Sequence, residues 1–136
     1  MYDVAIVGGG AAGLSAALSL AHFRRSVLAL DGGEQRNLAS HAIHNYLGLD
    51  GIAPRELLRR GREEARWAGA ELRKANVTGI RRSGDAFDLA VDGQPTIAAA
   101  RIVLATSLVD VKPDIANLGP FYGTSVHHCP ICDGAT

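Results

Sequence analysis

The chain carries no surplus charge: 14 Lys and Arg balance 14 Asp and Glu over 136 residues. That balance gives no electrostatic reason to expect nucleic acid or an anionic membrane as a partner. Long apolar runs are missing too. Nothing approaches the roughly 20 consecutive apolar residues that span a bilayer, and Met1-Tyr2-Asp3 lacks the basic start of a secretory signal. Cysteine is scarce, with two residues in all. This argues against the disulfide scaffold of a small secreted domain and fits a redox or metal role in a reducing compartment. A cytoplasmic location is therefore expected. No internal repeat or low-complexity tract is present. Against these absences, 47% of the residues are hydrophobic, ample for the core of a domain of this length.

What is present is concentrated at the two ends. Residues 4–7 form a short, nearly continuous apolar run, as a parallel strand covered on both faces requires. Gly8, Gly10 and Gly13 follow as G-x-G-x-x-G, leading into an Ala/Leu-rich segment, 11–21, that reads as a helix. Gly8 permits the tight turn, Gly10 lets a phosphate approach the backbone, and Gly13 lets helix and strand pack closely, with Ala17 keeping that face small. The free N–H groups at the helix start, around Ala12, together with the helix dipole, are suited to a pyrophosphate. A second strand, 26–30, ends at Asp31, 18 residues after Gly13. An acid there can accept hydrogen bonds from a ribose 2′-hydroxyl, which points to a dinucleotide without a 2′-phosphate at that position. These features do not separate one dinucleotide from another.

Further along, a polar loop runs to about Asp50, and Pro54 opens a helix expected over 54–68. Leu57, Leu58, Gly61, Ala65 and Ala68 form its inward stripe. Arg55, Arg59, Glu63 and Arg66 are expected to face water, because acidic residues interleave with the arginines. Gly69 stops the helix. Residues 71–75 read as a third parallel strand. The runs 77–82, 86–91 and 96–100, separated by glycine-containing turns, predict a three-stranded antiparallel meander. A separate strand, 101–105, is expected to rejoin the parallel sheet, and 110–122 reads as a linker.

At the other end stands His128-Cys129-Pro130-Ile131-Cys132-Asp133-Gly134. C-x-x-C places an attacking sulfur and a resolving one within ring-closing distance, and each can lower the other's pKa. Asp133 follows directly, where a carboxylic acid could carry the proton that such an exchange releases. Two rival readings remain: zinc held by the cysteines with His127 and His128, although adjacent histidines project in different directions, and a pair of inert core thiols.

The stretch DVAIVGGGAAGLSAALSLA resembles the FAD site of the pyridine nucleotide–disulfide oxidoreductases. Four further stretches narrow the likeness to the N-terminal part of the low-molecular-weight thioredoxin reductases: Asp31-Gly32-Gly33-Glu34-Gln35-Arg36-Asn37, His44-Asn45-Tyr46-Leu47-Gly48, Ile102-Val103-Leu104-Ala105-Thr106 and the terminal HCPICDG. The resemblance implies FAD as cofactor, with Gly8, Gly10, Ala12, Gly13, Asp31, Ala105 and Thr106 in its site. It also implies that Arg36 and Asn37 line the diphosphate, that Asn45 lies near the flavin and that Val77 offers backbone groups to the adenine. It gives Cys132 the flavin-facing role, Cys129 the attack on an external disulfide, and Asp133 the acid–base role. Where the family reads Ala-Thr-Gly, this chain has Ala105-Thr106-Ser107. A serine in extended backbone would fit there.

The expected fold is α/β: a Rossmann-like FAD-binding domain with a parallel sheet and a three-stranded antiparallel β-meander, incomplete at its C-terminal end. Residues 1–110 are read as the N-terminal part of that domain. Residues 111–136 are read as a linker and the start of an NADPH and redox-disulfide domain, with no second glycine fingerprint for the nicotinamide donor. The parallel sheet is expected to keep an unpaired, apolar edge. By resemblance the function is electron transfer from NADPH through FAD to Cys129 and Cys132, then to a thioredoxin-like protein or a small-molecule disulfide. A dithiol oxidase using oxygen is a variant, homodimerisation follows by family analogy, and no metal is expected. The alternative from another class is a non-catalytic nucleotide-binding or interaction module.

Overall fold

The computed structural model describes residues 1–127 and Cys129. Expectations that concern His128, Pro130, Cys132 and Asp133 fall outside the described residues. The chain divides into two compact units, one of Met1–Gln35 with Leu58–Ser107, the other of Arg36–Leu57 with Leu108–Thr136.

In the first unit, β1 (Tyr2–Val7) runs into α1 (Ala11–His22), followed by β2 (Val27–Asp31), α2 (Pro54–Trp67, which opens in the other unit), β3 (Glu71–Lys74), β4 (Val77–Ser83), β5 (Ala86–Val91) and β6 (Gln94–Leu104). One six-stranded sheet results, in the order β3-β2-β1-β6-β5-β4. β3, β2, β1 and β6 are parallel, and β4-β5-β6 is the antiparallel meander. The α/β class and the meander therefore stand.

Alternation along the strands decides the two faces. Val4, Ile6, Val27 and Ala29 turn to one side and pack with Ala17 and Ala21 of α1 and Ala65 of α2. Ala5, Leu28 and Leu30 turn to the other and pack with Leu89, Val91, Ile97 and Ala99 of the meander. Covered on both sides, these strands need the continuous apolar runs seen in the sequence.

One expectation is corrected. The strands read separately as 96–100 and 101–105 are one strand, β6, of 11 residues. It pairs antiparallel with β5 up to Ala99 and parallel with β1 from Ala99 onward. Nothing between Thr96 and Leu104 interrupts the backbone, since Pro95 stands at the strand's second residue, where a missing donor is tolerated. The expected unpaired, apolar edge of the parallel sheet lies on β6: among the described residues 100–104 pairs on the β1 side, and Leu104 is exposed. The outer strands are charged instead. β3 reads Glu-Leu-Arg-Lys and β4 ends Arg-Arg-Ser, and charge on an edge strand opposes pairing with another chain.

α2 ends as its glycine requires. Gly69 takes φ +104, its N–H donates to Arg66, and the Ala70 N–H donates to Ala65. Below the sheet's first strand, the Tyr2 hydroxyl donates to Glu71 at 2.6 Å while Arg73 donates to the other carboxylate oxygen at 2.6 Å. These bonds, Tyr2 first, hold the Glu71 carboxyl below the usual range.

The second unit is irregular, with a 3-10 turn at Arg36–Ala39 and another at Gly119–Phe121 inside the segment read as a linker. Gly123, buried with φ +88, leaves no room for a Cβ against the Ala39 carbonyl. Among the described residues no helix is long and apolar enough to cross a membrane.

Candidate dinucleotide site and thiol segment

The glycine turn is fixed by what surrounds it. Gly8 has φ +114, and a Cβ there would collide with the carbonyl of Ala105, whose own N–H donates to Val7 at 2.8 Å. A Cβ on Gly13 would strike the Gly8 carbonyl oxygen and come within 3.4 Å of Ile6 Cγ2. Helix α1 is thereby seated directly on β1. Gly10 is its N-cap, in extended backbone and with no side-chain cap. Only Gln35 Cγ, at 3.9 Å, lies near the position a Cβ would occupy. The first-turn N–H groups of α1, those of Ala11, Ala12 and Gly13, have no carbonyl four residues back inside the helix. An uncapped helix start with open space before a glycine suits an anionic ligand such as a diphosphate.

Asp31 closes the other side. Its Oδ1 accepts the Gly33 N–H at 2.8 Å and Gln35 Nε2 at 2.6 Å, and its Oδ2 accepts Arg62 Nη2 at 2.9 Å. The carboxylate lies against Gly9, where a Cβ would overlap the Asp31 side chain. A cavity of about 250 Å³ opens beside it, lined among others by Leu14, Arg66 and Lys74. Val77 starts β4 opposite Val91. The preceding residue, Asn76, puts its side-chain oxygen where a Cβ on Gly32 would stand. Within the first unit, then, the structure brings Gly8, Gly10, Ala12, Gly13, Asp31 and Ala105 to the carboxyl ends of the parallel strands. Thr106 is exposed just beyond, and Val77 follows the end of β3.

Ser107 departs from expectation. Its φ is +62, in the left-handed region, where extended backbone was anticipated. Serine thus occupies a backbone conformation that glycine favours.

Gly9, Gln35 and Arg62 were not singled out by sequence reasoning. The run Gly8-Gly9-Gly10 holds one glycine more than the motif needs, which is a signal for Gly9. Arg62 has no local signal, because its partner lies 31 residues away in the chain. Arg66, read as water-facing, remains exposed while forming part of the cavity wall.

Arg36, Asn37, Asn45 and Cys129 belong to the second unit. Arg36 Nε donates to Asp110 Oδ2 at 2.7 Å, and the Tyr122 hydroxyl donates to the same oxygen at 3.2 Å. Lys112 Nζ stands 3.7 Å over the Tyr122 ring. The carboxylate raises the Arg36 pKa, while lost solvent first and Asp110 second raise that of Tyr122. Asn37 accepts the Ser40 N–H through its carbonyl. Asn45 sits at φ +58 with its N–H on Asp50 Oδ1 at 2.8 Å. Cys129 is half-buried and disulfide-bonded.

Comparison with known proteins agrees with this architecture. The pyridine nucleotide-disulphide oxidoreductase family matches residues 2–136. A protein of Arthroderma benhamiae named probable thioredoxin reductase is 34% identical over 98% of this chain and 35% of its own length. The crystal structure of HlmI superposes with a TM-score of 0.94 at 40% identity, covering 98% of this chain and 43% of that one. An oxidoreductase from Agrobacterium tumefaciens gives 0.89 at 39% identity, covering 98% and 45%. The chain thus spans less than half the length of each of these relatives. With that family matched over residues 2–136 and the fold shared with these relatives, this chain belongs to the pyridine nucleotide-disulphide oxidoreductases.

Proposed function

We propose that the protein is a FAD-dependent dithiol–disulfide oxidoreductase of the thioredoxin-reductase type, with NAD(P)H as electron donor and a thioredoxin-like protein or small-molecule disulfide as acceptor. The observation that carries this reading is the uncapped start of α1, open in front of Gly10, with the fixed Asp31 carboxylate beside it. Bound there, FAD supplies a two-electron relay between a nicotinamide and a disulfide.

The chain's own residues act around that relay. The N–H groups of Ala11, Ala12 and Gly13 receive the diphosphate, with Arg36 and Asn37 assigned to the same group and Asn45 to the flavin side. Asp31 accepts a ribose hydroxyl, and Val77, Ala105 and Thr106 offer backbone to the adenine and the flavin half. Cys129 and Cys132 form the redox pair: Cys132 faces the flavin, Cys129 attacks the external disulfide, and Asp133 moves the proton that the exchange requires. The disulfide bonding of Cys129 is compatible with this assignment, because exchange in such a pair makes and breaks a disulfide. Residues 1–110 then serve the FAD domain, and 111–136 lead into the thiol and NADPH part.

The test uses the complete natural protein. NADPH is expected to bleach its flavin absorbance, and disulfide turnover is expected to follow. A Cys129→Ser variant should still accept electrons from NADPH yet fail to reduce the disulfide. If it turns the disulfide over at the wild-type rate, the thiol route is wrong. A purified protein that binds no flavin removes the whole reading.

A further inference from the structure

We infer that Arg62 is a positioning residue of the dinucleotide site, holding the Asp31 carboxylate in the orientation that takes the adenosine ribose. This deepens the proposed function and rests on it. A carboxylate offers about four lone-pair positions. Among the described residues three are taken in Asp31: two on Oδ1 by the Gly33 N–H and Gln35 Nε2, and one on Oδ2 by Arg62 Nη2. One acceptor direction on Oδ2 remains for a ligand hydroxyl.

The carboxylate is held at both oxygens and rests against Gly9 in the glycine turn. The two Oδ1 donors come from the loop directly after β2. Among the described residues the only donor on Oδ2 is Arg62, and it comes from a different element, α2. The Asp31 side chain is 17% exposed and that of Arg62 30% exposed, so water screens the pair less than a surface pair, and the bond is charge-assisted. Removing Arg62 frees Oδ2 to turn toward solvent or the cavity, and the lone acceptor direction is no longer aimed. Arg62 itself does not touch the ribose; it acts through Asp31.

Two other roles give different results. A plain staple between α2 and β2 contributes to folding and changes the affinity of every dinucleotide alike. A competitor would occupy the ribose's place, and its removal would tighten binding.

The experiment titrates FAD and its 2′-deoxyadenosine analogue into the deflavinated full-length protein, reading flavin fluorescence. In the wild type, FAD is expected to bind roughly 10–100-fold more tightly than the analogue, the range for a hydrogen bond to a charged acceptor. Arg62→Met is expected to weaken FAD about tenfold and to bring that ratio close to one, because the aimed hydroxyl contact is lost. Arg62→Lys, which retains a cationic donor, is expected to recover much of the ratio. If Arg62→Met fails to fold, Arg62→Gln gives the same readout with a neutral side chain of similar reach. A ratio unchanged in the neutral variant, or tighter FAD binding by it, overturns the inference while leaving the proposed function intact. A wild type that binds neither ligand overturns both.

Discussion

Replacing Ser107 by glycine is expected to stabilise the fold, and the size of the gain follows from one backbone angle. Ser107 holds φ +62 two residues after the Ala105 contact that seats Gly8. An L-residue in the left-handed region costs about 1–2 kcal/mol, because its Cβ crowds the following carbonyl. Glycine removes that cost but loses about 0.5–1 kcal/mol of extra chain entropy on folding. The difference is a net gain of about 0.5–1 kcal/mol, a two- to fivefold shift in the ratio of folded to unfolded protein. Ser107 is exposed, and its hydroxyl makes no hydrogen bond among the described residues. Ser107→Ala, which keeps the Cβ, is therefore expected to change stability by less than about 0.5 kcal/mol. Urea unfolding midpoints, compared at equal slope, measure all three proteins. If Ser107→Gly is no more stable than Ser107→Ala, the backbone at 107 is not strained and the reasoning fails.

Gly13→Ala tests the seating of α1. A glycine-to-alanine change in a helix ordinarily gains about 1 kcal/mol, but here the added Cβ meets the Gly8 carbonyl and Ile6. A net loss of about 2 kcal/mol is expected from such overpacking, and a more stable variant in the same urea assay would show that helix and strand separate easily. The Glu71 carboxyl is a pH probe. Its folded pKa is depressed, first by the Tyr2 hydroxyl and then by Arg73. Its stabilising contribution is therefore complete above the ordinary glutamate range and disappears as pH falls through the depressed value. Tyr2→Phe is expected to flatten that acid limb in a series of urea midpoints between neutral pH and about pH 3. An unchanged slope would remove Tyr2 as the main cause.

The separation between what the sequence displays and what the fold decides follows the distance over which each feature is determined. The helix at 11–22, the stop at Gly69 and the meander turns depend on residues within a few positions of one another. They were legible because glycine spacing and apolar period are local signals. The division of 96–105 into two strands went wrong for a related reason. Sequence shows where a strand can be, but not that one strand pairs with β5 by its first half and with β1 by its second.

The G-x-G-x-x-G run and the acid at 31 are legible from residue identity alone, because each is a short local pattern. Only the tertiary structure decided that Gly9 must lack a side chain to admit Asp31, that Arg62 reaches across from α2 to the same carboxylate, and that Ser107 turns left-handed. Each of these depends on backbone or side chains brought together from separate strands and helices. No periodicity in a linear chain encodes such a meeting; it exists once β1, β2 and α2 pack against each other and leave one shape for the side chains between them.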